Sequence, residues 1–253
     1  MARKGRHVTN RTDAAVLLIG DELLAGRTRD SNLAHIAVAL GEIGIPVREA
    51  RIVADSEAEI VEALDALRGR YAFVFTTGGI GPTHDDITAD CVAKAFGVRL
   101  VEHPEALARL EAHYGPERFN AARRRMARVP EGAELIDNPV SVAPGFRVGN
   151  VFVMAGIPVV MQAMLESVKG SLPGGPAIAT HVVLAAGPEG DLAAPLGAIQ
   201  ARYPELAIGS YPSLSGGRIV TRLVARGADA SAVAAARDEI AAMVDRLGFT
   251  LPG

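Results

Sequence analysis

Apolar positions along the chain follow two rhythms that alternate with each other. Short unbroken runs bounded by turn residues read as strands buried on both faces: Ala15-Val16-Leu17-Leu18-Ile19 ending at Gly20, and Phe73-Val74-Phe75 running into Thr76-Thr77-Gly78-Gly79. Residues 47–53 supply a further strand. Between these runs the apolar positions recur at helical spacing. Leu33, Ile36, Ala37 and Leu40 follow the capping residues Asp30, Ser31 and Asn32, and Gly41 stops the helix. Ile60, Leu64 and Leu67 share one face behind Ser56 and Glu59, which are spaced as a capping box. Residues 89–96, closed by Gly97, predict the next helix. Strands alternating with helices predict an α/β domain built on a parallel sheet. Ligands of such sheets bind beyond the carboxyl ends of the strands. Gly20 and Gly78 both lie there, so their loops are expected to share one mouth.

Further along, residues 104–113 and 117–128 read as helices, the first opening with Pro104. Phe146-Arg147-Val148, Gly149-Asn150 and Val151-Phe152-Val153-Met154 predict a hairpin, and 158–168 a helix. The glycine- and proline-rich stretch 169–176 reads as a linker. Behind it the pattern changes to short strands at 181–184 and 206–209, an alternating stretch 218–224, and an alanine-rich helix 230–247. The expected organisation is a loose tail (1–12), an α/β domain with a mostly parallel sheet (13–169) and a small α+β domain (177–253).

Composition narrows the function classes. An apolar fraction of 49% with 22% charged residues is that of a globular protein, and a net charge of -3 gives no field to gather nucleic acid or a membrane surface. Neither is expected as a partner. No apolar run reaches the roughly 18 residues of a membrane span, and 14–19 is too short for a signal-peptide core, so the expected location is cytoplasmic. The single cysteine, Cys91, excludes an internal disulfide and reads as a small core residue.

The chemistry concentrates in Thr77-Gly78-Gly79-Ile80-Gly81-Pro82-Thr83-His84-Asp85-Asp86-Ile87-Thr88. Its glycines let backbone N–H groups approach an anion, and a helix begins just after it, presenting free N–H groups and a positive dipole end. Asp85 and Asp86 would repel a bare phosphate. A divalent cation such as magnesium, bridging the aspartates and phosphate oxygens, reconciles the two features. The bland alternative is that Thr83 and Asp86, spaced as a capping box, start a helix, and that His84 is merely solvated.

This string resembles the signature of the molybdopterin-binding (MoaB/Mog-like) superfamily, in its competence/damage-inducible protein A (CinA) branch. It is equally similar to the corresponding domain of eukaryotic FAD synthase. Gly20-Asp21-Glu22-Leu23-Leu24-Ala25-Gly26 with Asp30-Ser31-Asn32 resembles the first motif of that branch. Val129-Pro130-Glu131-Gly132-Ala133, Asn138-Pro139, Ala143-Pro144-Gly145-Phe146 and Gly156-Ile157-Pro158 match it again. The segment from about Ala177 resembles the small domain that follows in stand-alone members.

The resemblance implies a three-layer α/β domain, a homo-oligomer of two or three copies, and a small-molecule nucleotide or pterin ligand. It implies metal-dependent hydrolysis of ADP-ribose or FAD to AMP, with Asp86 and Asp55 catalytic, Asp85 and Asp86 on the metal, and Gly20, Glu22, Asn32, Thr77, Gly78, Gly79, Gly81, Pro82 and Thr83 on the substrate. Other members bind or adenylylate molybdopterin, and a non-enzymatic relative is the third reading. No segment here resembles the amide-hydrolysing domain that CinA proteins often carry, so nicotinamide-mononucleotide deamidation is not expected. One departure stands out: many members have an acidic residue soon after the prolines of the closing turn, where this chain has Val159-Val160-Met161-Gln162. If that acid assists the metal, turnover falls.

Several of these residues also have a purely structural reading. Asp55 sits at a helix start, Glu22 suits a solvated loop, and Asp30 and Asn32 suit helix capping. Arg123-Arg124-Arg125 with Arg128 reads either as a solvated run or as the source of one arginine folded onto a phosphate.

Overall fold

The computed structural model describes residues 12–215 and 218–251; the expected tail falls almost wholly outside them. The chain divides into two compact units, the first running to Gly174 apart from Glu42–Gly44, which group with the second unit from Gly175 onward.

The first unit is built on β1 (Ala14–Ile19), buried at every position. Its burial follows from its place in the sheet. β2 (Val47–Val53) pairs with it in parallel on one edge and β3 (Phe73–Thr77) on the other. The six-stranded order is β2-β1-β3-β8-β7-β6, with β6 (Glu134–Ile136), β7 (Gly145–Val148) and β8 (Val151–Met154). β8 is parallel to β3, whereas β7 and β6 run antiparallel to their neighbours, so the sheet is mostly parallel as expected. Ala15, Leu17 and Ile19 alternate onto one face and pack with Ile60, Leu64 and Leu67 and with Cys91 and Val92. Those partners come from α3 (Glu57–Arg68) and α4 (Thr88–Phe96). Ala14, Val16 and Leu18 point the other way and are equally buried. The remaining helices of this unit are α1 (Asp21–Leu24), α2 (Asn32–Glu42), α5 (Pro104–Tyr114), α6 (Ala121–Arg125) and α7 (Pro158–Lys169), which packs on β6 and β8.

The expected helix 117–128 is corrected by the structure. Only Ala121–Arg125 is helical, with the Asn120 side chain capping Arg123 N–H. The chain then leaves as β5 (Arg128–Pro130), antiparallel to β4 (Leu100–Glu102). Val129 and Pro130 account for the change, since β-branching favours a strand and proline gives a helix no N–H. Strands of three residues carry no readable period, which hid β4, β5 and β6. The Ser56–Glu59 capping box does not form. Ser56 is the N-cap without a side-chain bond, and Glu59 accepts from Ala54 N–H at 3.3 Å.

The second unit is an antiparallel sheet of order β10-β11-β9, from β9 (Ala179–Ala185), β10 (Ala207–Ser215) and β11 (Arg218–Gly227). Two helices cover one face, α8 (Glu189–Arg202) and α9 (Ala230–Arg246), through Leu192, Leu196, Ile199, Val233, Ile240 and Val244 against Leu223 and Ala225. This is the expected small α+β module. α8 escaped the sequence reading because Pro195 lies inside it and reads as a breaker. Among the described residues, no helix is long and apolar enough to cross a membrane.

Candidate functional site

β1 and β3 are neighbours in parallel, so their carboxyl ends emerge side by side and the loops at Gly20 and Gly78 line one cavity of about 710 Å³. The Gly78 N–H stays in the sheet, donating to Met154 O at 3.2 Å. Its φ of +105° turns the chain out of β3, and any Cβ there would run into the Ile19 carbonyl. Gly79, at φ +67°, has Thr88 Oγ1 where its Cβ would sit. Only glycine serves at either position. Thr88 fastens the base of the loop, its hydroxyl donating to Gly78 O at 2.9 Å and its N–H to Gly79 O at 3.0 Å. Among the described residues, no backbone acceptor takes the N–H groups of Gly79, Ile80 and Gly81. These three line the cavity.

Asp86 is half-buried against Gly81, and one of its oxygens, Oδ2, accepts from Thr83 N–H at 2.8 Å and Thr83 Oγ1 at 2.6 Å. This bond closes a turn within the loop. The helix starts later, at Thr88, with Ile87 as an N-cap that makes no side-chain bond, so the capping-box alternative does not describe Asp86. Asp85 and Pro82 line the cavity with Asp86, whereas Thr83 works through Asp86 and Thr77 is buried as the last residue of β3. His84 is solvated, its side chain 96% exposed.

The first motif forms the single helical turn α1, and Gly20 and Glu22 line the cavity from it. Asp55 lines it too. Burial pushes the Asp55 carboxyl above the usual aspartate range, reinforced by the nearby charges of Asp21, Glu22 and Asp85, while the Asp21 N–H partly offsets the shift. Asp30 caps α2 by accepting from Asn32 N–H and Leu33 N–H at 3.1 and 3.0 Å. Asn32 is buried, and its Nδ2 donates to Gly156 O at 2.8 Å. It therefore buttresses the loop of the Gly156-Ile157-Pro158 wall and does not itself line the cavity.

Sequence reasoning missed the rest of the wall, Tyr114, Met126 and the 138–143 loop. Buried Asn138 organises that loop: its Oδ1 accepts from Val140 and Ser141 N–H, both at 3.1 Å, and its Nδ2 donates to Ser141 Oγ and Ala143 O, both at 2.7 Å. The Asn138-Pro139 motif was the available signal. The basic cluster divides: Arg124 forks onto Glu102 with two bonds of 2.7 Å, Arg128 reaches Asp90 at 3.2 Å, and Arg123 lines the cavity. Val160 is buried in the wall close behind Pro158, where many members have their acid nearby. Cys91 is a core residue, its thiol pushed up to about 12 by burial.

The cavity lining thus combines four carboxylates (Glu22, Asp55, Asp85, Asp86), one guanidinium and an unpaired N–H turn. Among the described residues, no three His, Cys, Asp or Glu side chains converge as a closed metal cage. A magnesium site needs no such cage, since the ion keeps waters and takes one or two carboxylates with substrate oxygens, and this hard oxygen set fits that habit.

Comparison with known proteins gives the family. Residues 15–176 match the family described as "Probable molybdopterin binding domain", and 177–249 match "FAD synthase, middle domain". The chain is similar to a CinA-like protein of Geobacter sp. (strain M21), 44% identical over 158 residues that cover 60% of this chain and 38% of that protein. It therefore spans about 38% of the length of such CinA-like relatives. A protein of Pyrobaculum arsenaticum is 37% identical over 210 residues, 79% of each chain. The crystal structure of CinA from Thermoplasma acidophilum superposes with a TM-score of 0.62 at 34% identity, covering 65% of this chain and 99% of that one. The chain belongs to the molybdopterin-binding-domain family as a CinA-like member, and its second unit is of the FAD synthase middle-domain type.

Proposed function

We propose that this chain is a metal-dependent hydrolase of a nucleotide diphosphate of the ADP-ribose or FAD kind, releasing AMP. The observation that carries the reading is the meeting, in one cavity, of the unpaired N–H groups of Gly79, Ile80 and Gly81 with Asp55, Asp85 and Asp86. The N–H groups would hold phosphoryl oxygens. Asp85 and Asp86 would hold the divalent ion, which when bound polarises a phosphoryl oxygen and acidifies a water. Asp55 would accept the proton of the attacking water, with its Oδ2 steadied by Asp21 N–H. The water oxygen joins phosphorus as the bridging P–O bond breaks, giving two monophosphates. The FAD synthase likeness of residues 177–249 supports a substrate of this size and charge.

The test is AMP release from ADP-ribose and FAD with magnesium, cobalt or a chelator. Metal-dependent AMP formation that Asp86→Asn loses is the expected result, and equal turnover by that variant would overturn it. The family description favours a second reading, molybdopterin binding in the same cavity. That reading predicts a co-purifying pterin fluorescence and no AMP from either substrate.

A further inference from the structure

Of the arginines in the basic cluster, Arg123 alone lines the main cavity. Its guanidinium lies over the Tyr114 ring, 4.4 Å from the centroid, and Nη1 donates to Arg118 O. Stacking on one face and tethering at one nitrogen fix the plane while leaving most of the N–H fork for another partner. Among the described residues, no carboxylate pairs with it, although four carboxylates line the same cavity. Its neighbours Arg124 and Arg128 are both engaged by acids. A half-buried cation kept off the acids around it, with its planar fork preset, suits the bidentate recognition of a phosphate.

We propose that Arg123 selects the ligands of this cavity by charge, binding a phosphoryl oxygen of a nucleoside diphosphate, and that Tyr114 is the positioning residue that holds its guanidinium. This deepens the reading that the cavity takes a nucleotide diphosphate and rests on it. The Gly79–81 turn binds any oxyanion through N–H groups, whereas Arg123 distinguishes a diphosphate from a neutral nucleoside of the same base and sugar.

Calorimetric binding of ADP and of adenosine, in chelator and again in magnesium, tests it without requiring turnover. Arg123→Ala should weaken ADP about tenfold to a hundredfold and leave adenosine unchanged. It should also flatten the dependence of ADP affinity on salt. Arg123→Lys, which keeps the charge and loses the planar fork, should fall between. Tyr114→Leu should lose part of the ADP affinity and Tyr114→Phe, which retains the ring, should recover it. Arg99→Ala removes an exposed positive charge paired with Glu131 outside the cavity and should bind as wild type does. ADP binding by Arg123→Ala equal to wild type overturns the proposal alone. Equal losses of ADP and adenosine overturn it too, because the residue then supports only shape. Wild type that binds no ADP overturns the underlying reading, and the proposal falls with it.

Discussion

Asp21 and Asp55, 34 residues apart, exchange hydrogen bonds at the mouth of the cavity: the Asp21 N–H donates to Asp55 Oδ2 at 2.9 Å, and the Asp55 N–H to Asp21 Oδ1 at 3.3 Å. The pair joins the turn after β1 to the turn after β2, so the first motif and the second strand hold each other in register at the site. It also sets two carboxylates close together. Burial and that proximity raise the folded pKa of Asp55 above its unfolded value. The folded state then binds the proton more tightly, so the stabilising effect is present at low pH and lost as pH rises from the usual aspartate value through the raised one. Asp55→Asn keeps an acceptor for Asp21 N–H and removes the charge. We predict that thermal melts from pH 3.5 to 7 show wild type losing stability relative to Asp55→Asn as the pH climbs. Parallel curves for the two proteins would contradict it.

Glu49 shows the opposite sign. The Tyr71 hydroxyl donates to its Oε2 at 2.7 Å, Arg51 Nε meets its Oε1 at 2.8 Å, and Arg70 lies 3.0 Å from Oε2. The Tyr71 bond leads the causes that hold Glu49 below the usual glutamate range, followed by Arg51. The stability linked to this lowered pKa is fully present above the unfolded glutamate value and fades as pH falls through the folded one. Tyr71→Phe should therefore unfold at lower denaturant than wild type at pH 7, with the gap closing in acid. A constant gap across the titration would mean that the hydroxyl contributes independently of the Glu49 charge.

How much of this was legible depended on length and on distance in sequence. β1 and the 76–88 loop announced themselves, because a strand buried on both faces needs an unbroken apolar run and a backbone at φ +105° against Ile19 O needs glycine. The partnership of Asp21 with Asp55, and the use of Asn32 as a buttress to Gly156, depend on folding and have no local spacing to betray them. Arg123 was one of three consecutive arginines: Glu102 takes Arg124, and only the fold shows that Arg123 and not Arg125 lines the main cavity. Tyr114 continues the face of Ala106 and Leu110 at four-residue spacing, so its pattern read as core packing and gave no sign of a place in the cavity wall.

Val142 holds a left-handed conformation, φ 67°, in the loop that Asn138 folds beside the cavity. A β-branched residue is strained there by about 1–2 kcal/mol. Its neighbours Ser141 and Ala143 line the cavity, so the strain is placed where the wall is shaped. Val142→Asn tolerates the same backbone and should raise the melting temperature by about 2–4 °C. A melting temperature that falls would mean that the valine side chain contributes more packing than the backbone conformation costs.

Gly81 controls Asp86 through contact. A Cβ at Gly81 would lie 2.6 Å from Asp86 Oδ2, the oxygen that Thr83 holds at 2.8 and 2.6 Å. The carboxylate must then move or release Thr83, and under the proposed hydrolase reading, in which Asp86 serves the reaction, a shift of about 1 Å costs on the order of a hundredfold in rate. The fold should survive, because the fastening of the loop base by Thr88 to Gly78 O and Gly79 O is untouched. Gly81→Ala should therefore lose most metal-dependent AMP release while melting within a few degrees of wild type. Thr83→Val, which removes the hydroxyl bond and keeps the Thr83 N–H bond, should fall between the two in rate. Full activity in Gly81→Ala would show that Asp86 need not occupy its present position for turnover, and would move the catalytic assignment to Asp55 and Asp85.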